Sequence, residues 1–127
     1  MNETASRWLT FAREDLQVAE VVLTEGIHNQ VCFHAQQCVE KALKSALVRQ
    51  GRVPPRTHSI TDLLSLFPED WLADLRDDLG NLDDFYIPTR YPDALPGTLP
   101  EGLPGEVEAE EALTLARAVL DRLDIDS

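Results

Sequence analysis

The residues best suited to chemistry in this chain lie in three short stretches. The first is Tyr86-Ile-Pro-Thr-Arg-Tyr-Pro-Asp93, which places two tyrosines, two prolines, an arginine and an acid within eight residues. Proline fixes its own φ and restricts the residue before it, so Pro88 and Pro92 hold Arg90 and Tyr91 in a stiff, non-helical segment. A guanidinium and a phenol presented in this way suit recognition or reaction; the alternative is a helix terminator whose tyrosines pack on the core. The second stretch is His34, Gln37, Lys41 and Lys44, which follow one another at spacings of three, four and three along a helical pattern. An imidazole, an amide and two ammonium groups in a row could bind phosphate or an RNA backbone, although any solvated helix face shows such a stripe. The third is Pro54-Pro55-Arg56-Thr57-His58-Ser59, a cation and an imidazole just before a helix start. Free amides at a helix start attract anions, while Thr57 and His58 could equally satisfy backbone groups of the turn.

Other chemistries find no support. His34 and Cys38 are four apart, but two ligands do not make a metal site, and no close-spaced ligand cluster is present; no metal and no cofactor are expected. Phosphate-loop, dinucleotide-binding and nucleophile-elbow glycine patterns are absent.

The net charge of −12 argues against broad non-specific binding to nucleic acid. Its distribution is uneven. Lys41, Lys44, Arg49, Arg52 and Arg56 crowd into residues 41–61 with no acid among them, whereas 69–93 and 101–127 hold eight acids each. A basic patch on an acidic body points to a phosphate-bearing or acidic partner.

The elements that must position these groups are helical. Trp8, Ala12, Leu16, Ala19 and Leu23 recur at helical spacing over 4–25, with Gly26 placed to end the helix. Cys32, Ala35, Val39, Ala42, Leu43 and Ala46 form the buried stripe of a second helix over 29–50, which Asn29 could cap and Gly51 follows. Two such helices with so short a link should form an antiparallel hairpin. Ser59-Ile60-Thr61-Asp62 reads as a capping box opening a short helix through Phe67. A fourth helical pattern runs over 69–85 with Trp71, Leu72, Leu75, Leu79 and Leu82 on its apolar side, weakened by Gly80. Residues 86–105 form a proline-rich loop whose second half is expected to be mobile, and a last helix spans about 106–124.

No strand pattern and no repeat is visible. The fold expected is all-α: an up-and-down bundle of about five helices in a single domain over 1–127, with two long antiparallel helices first. Cys32 and Cys38, the only cysteines, point about 120° apart on one helix and cannot bridge each other. Reduced thiols, no spanning apolar run and no signal-like start make the cytoplasm the expected location, without membrane attachment.

In order along the chain, Ala35-Gln-Gln-Cys-Val-Glu-Lys-Ala-Leu-Lys44, Gly51, Pro54-Pro-Arg-Thr-His-Ser-Ile60, Leu63-Leu64 and Tyr86–Asp93 resemble a stand-alone HEPN domain, and the likeness covers almost the whole chain. The resemblance implies a helical bundle that forms a homodimer. It also implies pairing with a minimal nucleotidyltransferase in a two-protein module, often a toxin–antitoxin pair. Ribonuclease members carry an arginine followed, after four to six residues, by a histidine that works without metal. Here Arg90 would need a histidine at 95–97, where Leu95, Pro96 and Gly97 stand. Arg52, five residues, then His58 matches the spacing elsewhere, but Pro54 and Pro55 interrupt it. The function expected is therefore a binding and assembly module: a dimeric nucleotidyltransferase partner that contacts a nucleotide or RNA through Lys41, Lys44, Arg56, His58, Arg90 and Tyr91. The alternatives are a ribonuclease toxin, using Arg90 or Arg56 with His58 or His34, and a structural dimer without ligand.

Overall fold

A computed structural model describes residues 2–85 and 104–126, with side chains to 123. Five α-helices follow in order: α1 (Glu3–Thr24), α2 (His28–Arg49), α3 (Ile60–Leu64), α4 (Arg76–Asn81) and α5 (Glu106–Asp126). A 3-10 turn over Leu82–Phe85 continues α4. No strand occurs among the described residues. The Tyr86–Asp93 segment, with Arg90 and Tyr91, and the expected mobility of the loop after it lie outside the described residues.

Helices α1 and α2 form the expected hairpin. Asn2 caps α1 by accepting from the Ala5 amide at 3.2 Å, and its side-chain amide donates to the Val48 carbonyl at 3.0 Å, tying the start of α1 to the end of α2. Between the helices, Gly26 adopts φ 73°, the left-handed conformation open to glycine without steric penalty, and Ile27 then donates back to Val22. That reversal makes Ile27 the cap residue of α2, so Asn29 lies inside the helix rather than capping it. Gly51, at φ 77°, closes α2 in the same way.

Helix α2 is the centre of the molecule and packs against α1, α3, α5 and the 3-10 turn. Small residues allow these contacts to be close: Ala5, Ala12 and Ala19 on α1, and Ala109, Ala112 and Ala116 on α5, are all buried. Cys32 and Cys38 fill the same core as free thiols. Burial pushes both up to about 12, which makes them inert packing groups.

The region after α3 departs from the helical pattern. α3 ends at Leu64 rather than Phe67, residues 69–75 are turns, and α4 begins only at Arg76. The Arg76 guanidinium donates to the main-chain carbonyls of Trp71, at 2.9 Å, and of Phe67 and Pro68. These contacts brace the turns of residues 67–75. Phe67 stacks on Trp71 with centroids 4.1 Å apart, and Leu72 takes φ 55° while remaining buried. The apolar spacing still reports the core side correctly, since Leu72, Leu79 and Leu82 are buried, but Leu72 is delivered there by a turn, Leu79 by α4 and Leu82 by the 3-10 turn.

Candidate functional site

Helix α2 is buried around most of its circumference, and His34, Gln37 and Lys41 lie on its half-open strip. These side chains are not loosely solvated. Asp15, from α1, is buried against this strip: its Oδ1 lies 2.9 Å from His34 Nδ1, and its Oδ2 accepts from Lys41 Nζ at 2.6 Å. Burial works to raise the Asp15 carboxyl, but the hydrogen bonds and charges of His34 and Lys41 outweigh it and hold the group below its ordinary value.

On α2 itself, next to Lys41 in the chain, Glu40 is the second buried carboxylate. It accepts from Lys44 Nζ at 3.0 Å and from Gln37 Nε2 at 3.4 Å, and its two oxygens lie 3.2 and 3.3 Å from His58 Nδ1. Gln36, fully buried, donates to the His58 carbonyl at 2.9 Å and accepts from Gln37 Nε2 at 2.7 Å. The loop before α3 is thereby pinned to α2 through both the ring and the backbone of His58. Lys44 also lies 5.5 Å from the centroid of the Trp8 ring. No buried side-chain nitrogen or oxygen among the described residues lacks a partner.

A carboxylate oxygen accepts, so each histidine meets its carboxylate through Nδ1–H, and the other ring nitrogen, Nε2, is not used in that contact. The arrangement can hold a phosphate through Lys41 and an imidazole, and it can orient an imidazole for proton transfer.

The expected site residues fall into groups. Lys44 and His58 meet on Glu40, and Lys41 is held nearby on Asp15. Arg56 is exposed beside His58 in the chain. Arg52 donates to the Leu66 carbonyl at 2.6 Å and to Gln50 at 3.4 Å, a partner set separate from that of His58. The helix start after the Pro54–Ser59 stretch is already filled by the protein's own carboxylate. Asp83 accepts from the amides of Ile60, at 2.6 Å, and Thr61, at 3.1 Å, and from the Ser59 hydroxyl at 3.1 Å. An external anion is therefore not held by those amides while Asp83 stays in place. The basic run also carries less net charge than its sequence suggests, because Asp15 and Glu40 are brought to two of its five cations.

Sequence reasoning missed both carboxylates. Glu40 carried one visible signal, its spacing of four from Lys44, which suits an ion pair along a helix. Asp15 carried none, since its partners lie 19 and 26 residues away. Among the described residues no group of three or more histidines, cysteines and acids could hold a metal ion, and no helix is long and apolar enough to cross a membrane.

Comparison with known proteins matches this architecture. The HEPN domain family pattern matches residues 5–125. A Methanocaldococcus jannaschii protein named "Putative toxin" is 30% identical over 92% of this chain and 84% of its own length. A crystal structure from Thermus thermophilus is 41% identical, covers 100% of both chains and superposes with a TM-score of 0.81. A crystal structure described as an archaeal HEPN homologue is 33% identical over 99% of this chain and 98% of its own, with a TM-score of 0.77. With the helical bundle, its order of elements and a match along nearly its full length, the chain belongs to the HEPN domain family.

Proposed function

We propose that the protein is a HEPN binding and assembly module: a homodimer that partners a minimal nucleotidyltransferase and contacts a nucleotide or RNA through the polar strip of α2, together with Arg56, His58, Arg90 and Tyr91. The observation that carries the contact is the pair of buried carboxylates. Burying an ionised group is costly unless it is paired, and here Asp15 and Glu40 fix Lys41, His34 and His58 in set orientations before any ligand arrives. Pre-set donors lose less freedom on binding than free surface lysines do. The homodimer, the nucleotidyltransferase partner and the cytoplasmic setting rest on the family resemblance. Calorimetric titration of a nucleotide tests the contact: Lys41→Ala and Arg90→Ala are expected to weaken binding. Unchanged titrations for both variants, against a wild type that binds, would remove them from the site.

A second function, metal-independent RNA cleavage, is favoured by one observation: both histidines are held at Nδ1 by a carboxylate, which suits an imidazole for acid–base work. The name of the Methanocaldococcus jannaschii relative, "Putative toxin", is compatible with it. The absence of a histidine at 95–97 weighs against it. Purified protein is expected to leave single-stranded RNA intact in EDTA. Cleavage that disappears in His58→Ala or Arg90→Ala would make the second function the correct one.

A further inference from the structure

Helix α1 has a second ordered face. Its inner side buries Ala5, Ala12 and Ala19, and the elements it packs against are α2 and α5. Away from them, Arg7, Phe11, Glu14, Val18, Val21 and Glu25 follow at spacings of four, three, four, three and four, and all six are exposed. Phe11 is 51% exposed, Val18 39% and Val21 57%. Alternating four and three is the spacing of one face of an α-helix, so these six side chains line a single strip. Solvation does not explain three large apolar side chains in one such line.

The opposite charges at the two ends of the strip, Arg7 and Glu25, select its occupant. Arg7 and Glu25, Phe11 and Val21, and Glu14 and Val18 are each equidistant in sequence from residue 16. We propose that α1 docks on α1 of a second copy of this chain, antiparallel, about a two-fold axis level with residue 16. In that register Arg7 faces the second copy's Glu25 at both ends, Phe11 faces Val21, and the stem of Glu14 lies along Val18. A parallel pairing would set Arg7 on Arg7, Glu14 on Glu14 and Glu25 on Glu25, three like-charge contacts that disfavour it. A two-fold contact uses the same patch on both copies, which is what a seam symmetric about its midpoint supplies. The existing Arg7–Glu3 ion pair does not compete, because it is long at 3.5 Å and both side chains are more than 70% exposed.

The proposal rests on the homodimer proposed above and gives it a location. Sedimentation velocity of the full chain over a concentration series tests it. The wild type is expected to dimerise, and Phe11→Glu to weaken dimerisation by at least about tenfold. Arg7→Glu and Glu25→Arg are each expected to weaken it, and the double variant to restore it, since the swap rebuilds the same two ion pairs. Circular dichroism confirms that each variant is folded; should Phe11→Glu unfold, the charge-swap series decides alone. A wild-type dimer that none of these variants weakens would place the interface elsewhere, overturning the seam and leaving the dimer intact. A wild type that stays monomeric at every concentration would overturn both.

Discussion

Asp15 and Glu40 each hold one lysine and one histidine on the same helix, yet the two clusters differ in how their lysines meet solvent. The Lys44 side chain is 8% exposed and its partner Glu40 is 4% exposed. The Lys41 side chain is 28% exposed beside Asp15 at 10%. Lys44 is a counter-ion inside the fold, reachable by a ligand only if it leaves Glu40. Lys41 keeps donors near the surface while one is anchored. The same residue pairing thus serves two ends: at Glu40 it pins the loop before α3 to α2, and at Asp15 it braces α1 against α2 and presents a cation. Of the two lysines in the polar stripe, Lys41 is the one suited to touch a phosphate.

The sharpest way to break this contrast is to remove each carboxylate in turn. Glu40→Ala leaves the Lys44 charge buried without its partner and is expected to cost about 3–5 kcal/mol in urea unfolding. Asp15→Ala frees a lysine that can turn to water, so a smaller loss of about 1–3 kcal/mol is expected. Equal losses at the two positions would remove the distinction between a buried pin and an open brace.

Acid sharpens the Asp15 side further. Its folded carboxyl titrates below the ordinary 3.8, so its stabilisation is fully present above that value and is lost as the pH falls through the lower, folded value. The stability gap between wild type and Asp15→Asn, followed by chemical denaturation, is expected to shrink as the pH falls below about 4. A gap that did not shrink between about pH 4 and strong acid would contradict the pairing. The smallest expected effect concerns the core beneath both clusters. With thiols buried and pushed up to about 12, Cys32 and Cys38 should resist a thiol-reactive dye at mildly alkaline pH in the folded protein and react on unfolding.

Much of the fold was legible in sequence because long helices advertise their buried side through a 3.6-residue period. α1, α2 and α5 fall within two residues of their expected ends. The 69–85 stretch misled only in its first part: its apolar spacing is real, but residues 69–75 are turns braced by Arg76 on three main-chain carbonyls, contacts that periodicity does not record. The candidate site was legible only by half. Cations and imidazoles are noticed because they are few; a carboxylate in a chain with 23 acids looks like solubility until a neighbouring helix is laid against it. Asp83 shows the same limit, since a residue 23 positions downstream of Ile60 answers the amides at the start of α3.

The proposed contact is between a phosphate-bearing ligand and the open strip of α2. Chemical-shift mapping of the labelled, full-length protein during titration with AMP and with a short single-stranded RNA tests it most directly. The expected result is shifts concentrated on His34, Gln37, Lys41 and His58, with a smaller response at Lys44. Shifts confined to the acidic groove between α4 and α5, where Asp78, Asp84, Glu108 and Glu111 lie, or no shifts at all, would contradict it.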